Sequence, residues 1–258
     1  MGLLDGQYAV VTGVANKRSI AWGIARAFDR EGARIILTYQ NERLLENVEK
    51  LAGELSRPPE LVPLDVTDDT SLSGVAARVG EITDAVHVLV HSIAHAARED
   101  LAGRFVDTSR DGFLMAQNIS AYSLTALVRV LHPLLVNAHG ASVIAMTHDG
   151  ARRVMPNYNV MGVAKASLEA SVRYLAWDLG KEHIRVNAIS AGPIKTLAAS
   201  GVKGISSALQ LVTEKAPIPE NITTEDVGNA AVFLAAPWSR YVTGHVLYVD
   251  SGLHIMGG

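Results

Sequence analysis

Residues 8–28 read YAVVTGVANKRSIAWGIARAF, and this stretch decides the fold class of the chain. Residues 8–12 form a short apolar run typical of a buried strand, and Gly13 follows them. After Ser19, a suitable N-cap, apolar residues recur at helical spacing, at Ile20, Ile24 and Phe28. A strand, a glycine loop and a helix start present backbone N–H groups and a helix dipole to a pyrophosphate. The stretch therefore predicts the first βα unit of a dinucleotide-binding fold.

The rest of the chain alternates between strand-like and helix-like runs. Strand-like runs occupy residues 33–39, 60–64, 86–90, 141–147, 185–189 and 245–249, and helix-like runs occupy 42–55, 71–82, 111–137, 158–181 and 225–235. This order predicts one α/β domain over residues 1–258, a doubly wound Rossmann-like fold whose parallel seven-stranded sheet carries helices on both faces. Residues 195–219 follow a strand and are expected to form a small substrate flap, with an ordinary pair of surface helices as the alternative.

Composition restricts the class of protein. Apolar residues make up 48% of the 258 residues, charged residues 19%, and the formal net charge is −3 without a long basic run, so no nucleic-acid partner is expected. No segment approaches about 18 uninterrupted apolar residues, so no membrane span is expected. The N-terminus lacks the pattern of a signal peptide, which predicts a cytoplasmic protein. The absence of cysteine and the scatter of nine histidines predict neither a disulfide nor a metal site.

A tyrosine and a lysine seven residues apart form a candidate catalytic pair. Residues 157–165 read NYNVMGVAK and contain Tyr158 and Lys165. Seven residues of helix turn about 700°, so both side chains are expected to leave the same face. A neighbouring ammonium is expected to lower the pKa of the tyrosine, whose phenol can then donate a proton or a hydrogen bond to an oxyanion. Without a cofactor site, the same pair would be a half-buried tyrosine and a surface lysine.

Residues that follow the predicted strands form a candidate cofactor site, because ligands of open parallel sheets bind beyond the carboxyl ends of the strands. Among them, Gly192 permits close backbone approach, and Asp65 either meets the adenine or caps the following turn. The predicted contacts are Gly13, Ala15, Ser19, Ile20, Gln40, Asp65, Val66, Ser92, Ile93, Ala94, Lys165, Gly192, Ile194 and Thr196.

Neutral residues after the second strand indicate NADH as the cofactor. A carboxylate at this point would bind both ribose hydroxyls, and a cation would pair with a 2′-phosphate. Gln40 and Asn41 offer no cation, which favours NAD (NADH) over NADPH. The alternative is that Arg43, Lys17 or Arg18 reaches a phosphate.

Together these segments resemble the bacterial enoyl-acyl-carrier-protein reductases of the short-chain dehydrogenase/reductase superfamily. The resemblance rests on Gly13-x5-Ser19-x-Ala21 and on four further segments: TYQN at 38–41, HSIA at 91–94, PNYNVMG at 156–162 with Lys165, and RVNAISAGPI at 185–194. It implies an NADH-dependent reduction of the 2,3 double bond of trans-2-enoyl thioesters in fatty-acid elongation. It also implies a substrate carried on acyl carrier protein or coenzyme A, and a homotetramer.

One position favours enoyl reduction over ketone reduction. Ketone reductases of the superfamily usually carry a serine thirteen residues before the tyrosine, and Ala145 stands there. A ketone takes hydride at the carbon that bears the oxygen, so two donors can bind that oxygen. An enoyl thioester takes hydride farther away, so Tyr158 alone suffices for the enolate oxygen, while Lys165 holds the cofactor ribose.

Two histidines depart from the family pattern. His148 stands where a second tyrosine is usual, and we include it among the candidate catalytic residues because its protonated form would add a second donor near the enolate. His95 replaces a frequent aromatic residue and faces either the substrate cavity or solvent. In the flap, Lys203 is basic, but Ser206 and Ser207 occupy places that are often basic. Recognition of a carrier protein is therefore left open.

Two other functions remain open at this point. A carbonyl or imine reductase on the same scaffold is favoured by His148 and His95 and opposed by Ala145. A non-catalytic dinucleotide-binding protein is opposed by the intact pair of Tyr158 and Lys165.

Overall fold

Seven parallel strands form the centre of the molecule, whose structure is a computed structural model that describes residues 2–196 and 204–257. The strands are β1 (Tyr8–Val11), β2 (Arg34–Tyr39), β3 (Glu60–Pro63), β4 (Val88–His91), β5 (Ser142–Thr147), β6 (Arg185–Ala191) and β7 (Val246–Val249). Their order across the sheet is β3-β2-β1-β4-β5-β6-β7, and all neighbours are parallel. The predicted doubly wound, Rossmann-like sheet is confirmed, and its connections diverge between β1 and β4.

Helices cover both faces of this sheet. The helices are α1 (Ile20–Arg30), α2 (Glu42–Ala52), α3 (Asp69–Ile82), α4 (Arg98–Leu101), α5 (Arg110–Gln117), α6 (Ser123–Asn137), α7 (Asn159–Leu179), α8 (Ile205–Lys215) and α9 (Thr224–Ala235). The helix predicted over 111–137 is interrupted by a π-helical turn at Asn118–Tyr122, between α5 and α6. The helix predicted over 158–181 begins one residue later than expected, so Tyr158 is its N-cap.

Alternation along the strands divides the apolar core into two layers. On β1, Ala9 and Val11 pack on the side of α1 and α9, whereas Val10 packs on the side of α3, α6 and α7. Side chains of successive strand residues point to opposite faces, which produces this division. Because both faces are covered, the strands are apolar almost continuously, as in other buried parallel sheets.

The predicted flap at residues 195–219 is only partly described. Residues 197–203, which include Lys203, lie outside the described residues. Helix α8 makes up much of the described part and does not distinguish a flap from an ordinary pair of surface helices. The assignment of residues 195–219 as a substrate flap stays a prediction.

One helical segment, Arg110–Asn137, is long and apolar enough to cross a membrane when judged by length and composition alone. Half of its most apolar window is buried inside the fold, and four leucines of α6 belong to the core: Leu124, Leu127, Leu131 and Leu135. A core helix of a soluble protein has the same length, composition and burial. The segment meets the criteria of length and mean hydropathy for a membrane span, although polar residues interrupt its apolar run.

Helices α1 and α9 approach each other through two glycines. A Cβ atom on Gly228 of α9 would lie 2.7 Å from the carbonyl oxygen of Gly23 in α1. A Cβ atom on Gly23 would lie 2.3 Å from the carbonyl oxygen of Thr224. The start of α9 is fixed by a capping box, in which the hydroxyl of Thr223 accepts from the N–H of Asp226 and the carboxylate of Asp226 accepts from the N–H of Thr223.

We expect Gly228→Ala to lower the free energy of unfolding by about 1–3 kcal/mol, because the added methyl group forces the two helix backbones apart. Gly74→Ala in α3 is the matched control, since a Cβ atom at Gly74 meets nothing within 4 Å. That change is expected to raise the free energy of unfolding by roughly 0.5–1 kcal/mol, because alanine favours a helix. Urea unfolding of both variants is the measurement, and a Gly228→Ala variant as stable as the parent would contradict the close packing.

Candidate active site

The loops that hold the predicted cofactor residues lie along one edge of the sheet. They follow β1, β2, β3, β4 and β6, and all carboxyl ends of a parallel sheet share an edge. Hydrogen bonds join neighbouring loops: the Gln40 side-chain amide donates to Asp65 at 3.3 Å, and the N–H of Ser92 donates to the Thr12 hydroxyl at 3.2 Å. These residue types, at an edge that spans the switch point between β1 and β4, fit a dinucleotide.

Close contact with β4 shapes the loop after β1. Gly13 has φ = 87°, and a Cβ atom there would lie 2.0 Å from the carbonyl oxygen of Ser92. Ser19 is the N-cap residue of α1, as predicted, but its side chain makes no capping hydrogen bond to the helix. Its hydroxyl instead accepts from the N–H groups of Ala15 and Asn16, both at 3.1 Å. Ser19 therefore folds the loop against the positive end of the α1 dipole, where an anion is favoured.

Polar side chains after β2 and β3 have defined partners. The carboxylate of Asp65 accepts from the N–H of Thr67 at 2.9 Å and from its hydroxyl at 2.7 Å. These hydrogen bonds, the side-chain one first, lower the pKa of Asp65. The turn-capping alternative for Asp65 is thus observed, while Asp68 is the N-cap of α3. Asn41 caps α2, and Lys17 pairs with Glu54.

Burial sets the protonation of the tyrosine and the lysine. Lys165 is only 5% exposed, and its ammonium donates to the carbonyl oxygen of Met146 at 2.8 Å. Burial lowers the pKa of Lys165 to about 8, and the carboxylate of Glu169 partly opposes this shift. Removal from water raises the pKa of the Tyr158 hydroxyl. The predicted lowering of the Tyr158 pKa by the lysine is therefore wrong, because desolvation decides the shift.

His148 lies beside Tyr158 as a neutral imidazole. The two ring centroids are 4.9 Å apart and tilted by 45°. His148 Nδ1 accepts from the N–H of Gly150 at 3.0 Å, which leaves the proton of a neutral ring on Nε2. Burial lowers the pKa of His148; Asp149 opposes this shift and Lys165 adds to it. The expectation of a protonated His148 as second donor does not fit this environment, whereas a neutral Nε2–H donor does.

Two buried residues near this edge, Glu169 and His91, were given no role in the sequence analysis. Glu169 is buried, and its carboxylate accepts from the Thr147 hydroxyl at 2.8 Å. His91, at the end of β4, is buried and bonded to the Ser123 hydroxyl at 2.7 Å; burial, with a smaller effect of Lys165, lowers its pKa to about 3. The spacing of four residues between Lys165 and Glu169 was the one signal in the sequence, since such residues share a helix face.

The remaining predicted residues lie where the sequence placed them along the edge. His95 is exposed, and its backbone exchanges two hydrogen bonds with the buried Ser120 hydroxyl, at 2.9 and 3.1 Å. Thr196 is buried at the last described position before the gap. Among the residues that the structure describes, no group of three or more His, Asp or Glu side chains is placed to hold a metal ion.

The sheet order, the glycine loop after β1 and the tyrosine–lysine pair at the start of α7 define a short-chain dehydrogenase/reductase. The family model described as enoyl-(acyl carrier protein) reductase matches residues 13–254, and the chain belongs to this family.

Relatives match over the full length of the chain. The NADH enoyl-[acyl-carrier-protein] reductase of Bacillus subtilis is 52% identical over 98% of this chain and 97% of its own length. The NADPH enoyl-[acyl-carrier-protein] reductase of Staphylococcus aureus is 46% identical over 97% of this chain and 98% of its own. The crystal structure of the Bacillus cereus enoyl-acyl carrier protein reductase with NADP+ and indole naphthyridinone superimposes with a TM-score of 0.97, at 52% identity and complete coverage of both chains.

The protonation of His148 can be measured directly. Because burial disfavours the imidazolium, we expect the ring to titrate below the ordinary pKa of 6.5 and to carry its proton on Nε2 at neutral pH. Nitrogen-15 NMR of the histidine rings, with His148→Tyr to assign the signal, gives both the midpoint and the tautomer. A midpoint at or above 6.5 would restore the protonated donor of the sequence analysis.

Proposed function

We propose that this protein reduces the 2,3 double bond of trans-2-enoyl thioesters with NADH, as an enoyl-acyl-carrier-protein reductase of fatty-acid elongation. The observation that carries the proposal is a tyrosine–lysine pair at the carboxyl edge of the sheet in a chain that belongs to this family. Ala145 in β5 is buried and offers no second hydroxyl, which suits an enolate better than a ketone.

The chain has residues suited to each part of the cofactor, which supplies a hydride when bound. The loop of Gly13, Ala15, Ser19 and Ile20 holds the pyrophosphate at the helix dipole. The ammonium of Lys165 holds the nicotinamide ribose. The remaining cofactor contacts of the proposal are Gln40, Asp65, Val66, Ser92, Ile93, Ala94, Gly192, Ile194 and Thr196.

Tyr158 acts as a neutral donor in this proposal. Its raised pKa keeps the hydroxyl protonated at neutral pH, so it can donate to the enolate oxygen as negative charge develops there. The neutral Nε2–H of His148, on the ring beside it, is suited to a second hydrogen bond to the same oxygen. Both donors are held before the reaction begins, which is what makes such donors effective.

Tyr158→Phe is expected to lower kcat by about a hundredfold, or roughly 3 kcal/mol, with little change in NADH affinity. Lys165→Ala is expected to weaken NADH binding as well, because the ribose loses its cation. Tyr241→Phe is the matched control, since Tyr241 is 88% exposed. The measurements are NADH oxidation with crotonyl thioesters and NADH fluorescence titration. Parental kinetics in both variants would remove the pair from the mechanism.

The same assay decides between the candidate functions and carriers. Crotonyl thioesters of acyl carrier protein and coenzyme A are compared, with a 3-oxoacyl thioester beside them. Turnover of the 3-oxoacyl thioester alone would indicate a carbonyl reductase. NADH binding without any turnover would indicate a non-catalytic dinucleotide-binding protein.

We expect a higher kcat/KM with NADH than with NADPH, because Gln40 and Asn41 offer no cation to a 2′-phosphate and Lys17 is paired with Glu54. The relatives include enzymes named for NADH and enzymes named for NADPH, so the cofactor preference of this chain has to be measured. Gln40→Arg is expected to move the preference towards NADPH. A parent enzyme that prefers NADPH would show that Arg18 or Arg43 reads the phosphate instead.

We also propose a cytoplasmic homotetramer without a membrane span, built from a single catalytic domain with residues 195–219 as its flap. Large apolar side chains are exposed in the α5 region and around the end of α7: Val106, Leu114 and Tyr122, and Tyr174 and Trp177. Exposed large apolar side chains support contacts between subunits. Light scattering is expected to give four times the 27.5 kDa of one chain, and a monomer at micromolar concentration would count against the proposal.

A further inference from the structure

The turn after β5 carries His148 and lies against Tyr158. Residues 148–153 form this turn, here called the His148 turn. A Cβ atom on Gly150, within the turn, would lie 2.5 Å from the Tyr158 ring. The N–H of the same glycine donates to His148 Nδ1 at 3.0 Å, and this hydrogen bond decides which ring nitrogen carries the proton. The position of the turn therefore sets the orientation of the imidazole and its distance from the tyrosine.

Arg153 joins the His148 turn to the segment that follows β7. Its Nε lies 3.2 Å from a carboxylate oxygen of Asp149, and its backbone N–H donates to the Asp149 carbonyl oxygen at 3.0 Å. Its Nη1 donates to the carbonyl oxygen of Met256 at 2.7 Å, although 103 residues separate the two in the sequence. One guanidinium thus binds the residue next to His148 and a distant segment at the same time, which its planar set of donors allows.

The distant segment is fixed by contacts of its own. Residues 250–256 form a turn after β7, here called the β7 turn. The buried Asp250 carboxylate accepts from the N–H groups of Gly252 and His254, at 3.0 and 2.9 Å, and lies 2.9 Å from His254 Nδ1. The His254 ring stacks on that of Tyr248 in β7, with ring centroids 3.9 Å apart. The β7 turn can therefore serve as an anchor for the arginine that binds it.

Arg152 makes a second contact between the same two parts of the molecule. Its Nη1 donates to the Tyr248 hydroxyl at 2.9 Å, at an exposed position. Arg153 differs because its guanidinium also binds the carboxylate of Asp149, which follows His148 directly. Loss of the Arg153 side chain therefore releases the His148 turn at the residue beside the imidazole, whereas loss of the Arg152 side chain does not.

We propose that Arg153 is a positioning residue of this enzyme, which fastens the His148 turn to the β7 turn and so keeps His148 oriented as a neutral Nε2–H donor beside Tyr158. Without the guanidinium, Asp149 and the Met256 carbonyl lose their shared partner, and the turn can move away from the Tyr158 ring. The hydrogen bond to His148 Nδ1 is then weakened and the imidazole donor is misplaced. This inference rests on the proposed function, in which both rings donate to the enolate oxygen.

Arg153→Met removes the donors and keeps an unbranched side chain. We expect kcat with crotonyl-coenzyme A to fall by roughly five- to tenfold, with KM for NADH and for the thioester within about twofold, because a misplaced donor acts mainly on the transition state. Arg153→Lys retains a cation for Asp149 and is expected to restore part of kcat. Arg57→Met is the matched control, since Arg57 is exposed and precedes β3 at the opposite edge of the sheet; parental kinetics are expected.

A double-mutant cycle tests whether Arg153 acts through His148. His148→Phe removes the imidazole donor and is expected to lower kcat. Adding Arg153→Met to this variant is expected to change kcat by less than about twofold, because the group that the arginine positions is already absent. Losses that multiply in the double variant would overturn the proposal, and so would a His148→Phe variant with the parental kcat.

Nitrogen-15 NMR of the histidine rings, without cofactor or substrate, gives a measurement that a change in stability alone does not move. We expect the parent to carry the His148 proton on Nε2 and Arg153→Met to show a mixture of the two tautomers, because the hydrogen bond that selects one of them is weakened. An unchanged tautomer in Arg153→Met would overturn the proposal.

If Arg153→Met fails to fold, Arg153→Gln is measured instead, because it keeps a polar side chain but has neither the charge nor the reach of arginine. The same loss of kcat and the same mixture of tautomers are expected, and parental values of both would overturn the proposal. A parent enzyme that turns over no enoyl thioester would overturn the proposed function itself. The tautomer measurement needs no turnover, so the two failures are distinguishable.

Discussion

The contact between the ends of β1 and β4 is the constraint on which the site depends. The Thr12 hydroxyl donates to the Val90 carbonyl oxygen at 2.9 Å and accepts from the N–H of Ser92, while Gly13 passes against the Ser92 carbonyl. Chain connections leave these two strands in opposite directions, so a crevice opens above them. The pairing of β1 with β4 joins the two halves of the sheet. It therefore fixes the positions of all the loops that are proposed to hold the cofactor.

Loss of water governs the chemistry at this crevice. Burial raises the pKa of Tyr158, lowers that of His148 and brings that of Lys165 to about 8. Each shift favours the uncharged form. At neutral pH, Tyr158 and His148 are therefore neutral donors, whereas Lys165 remains mostly an ammonium. In the proposed reaction, such a site stabilises an enolate through oriented hydrogen bonds.

Comparison of particular elements shows which features of the fold the local sequence predicts. The strands were predicted within a few residues, because a buried parallel strand needs a continuous apolar run. The π-helical turn between α5 and α6 was missed, since hydrogen bonds of Ser120 and Ser123 to distant residues accompany it. Ser19 was correctly predicted as an N-cap residue, but its hydroxyl binds the loop rather than the helix, and spacing alone does not distinguish these partners.

The sequence by itself determined the fold class, the edge at which the proposed cofactor residues gather and the family, because these follow from apolar periodicity, glycine positions and local motifs. Only the tertiary structure decided the protonation of Tyr158 and His148, the partners of Asp65 and the burial of Glu169 beside Thr147. A pKa depends on how much water a group loses and on charges brought near it from distant parts of the chain. Neither quantity is encoded in the local spacing of residues, so it appears only when the chain is folded.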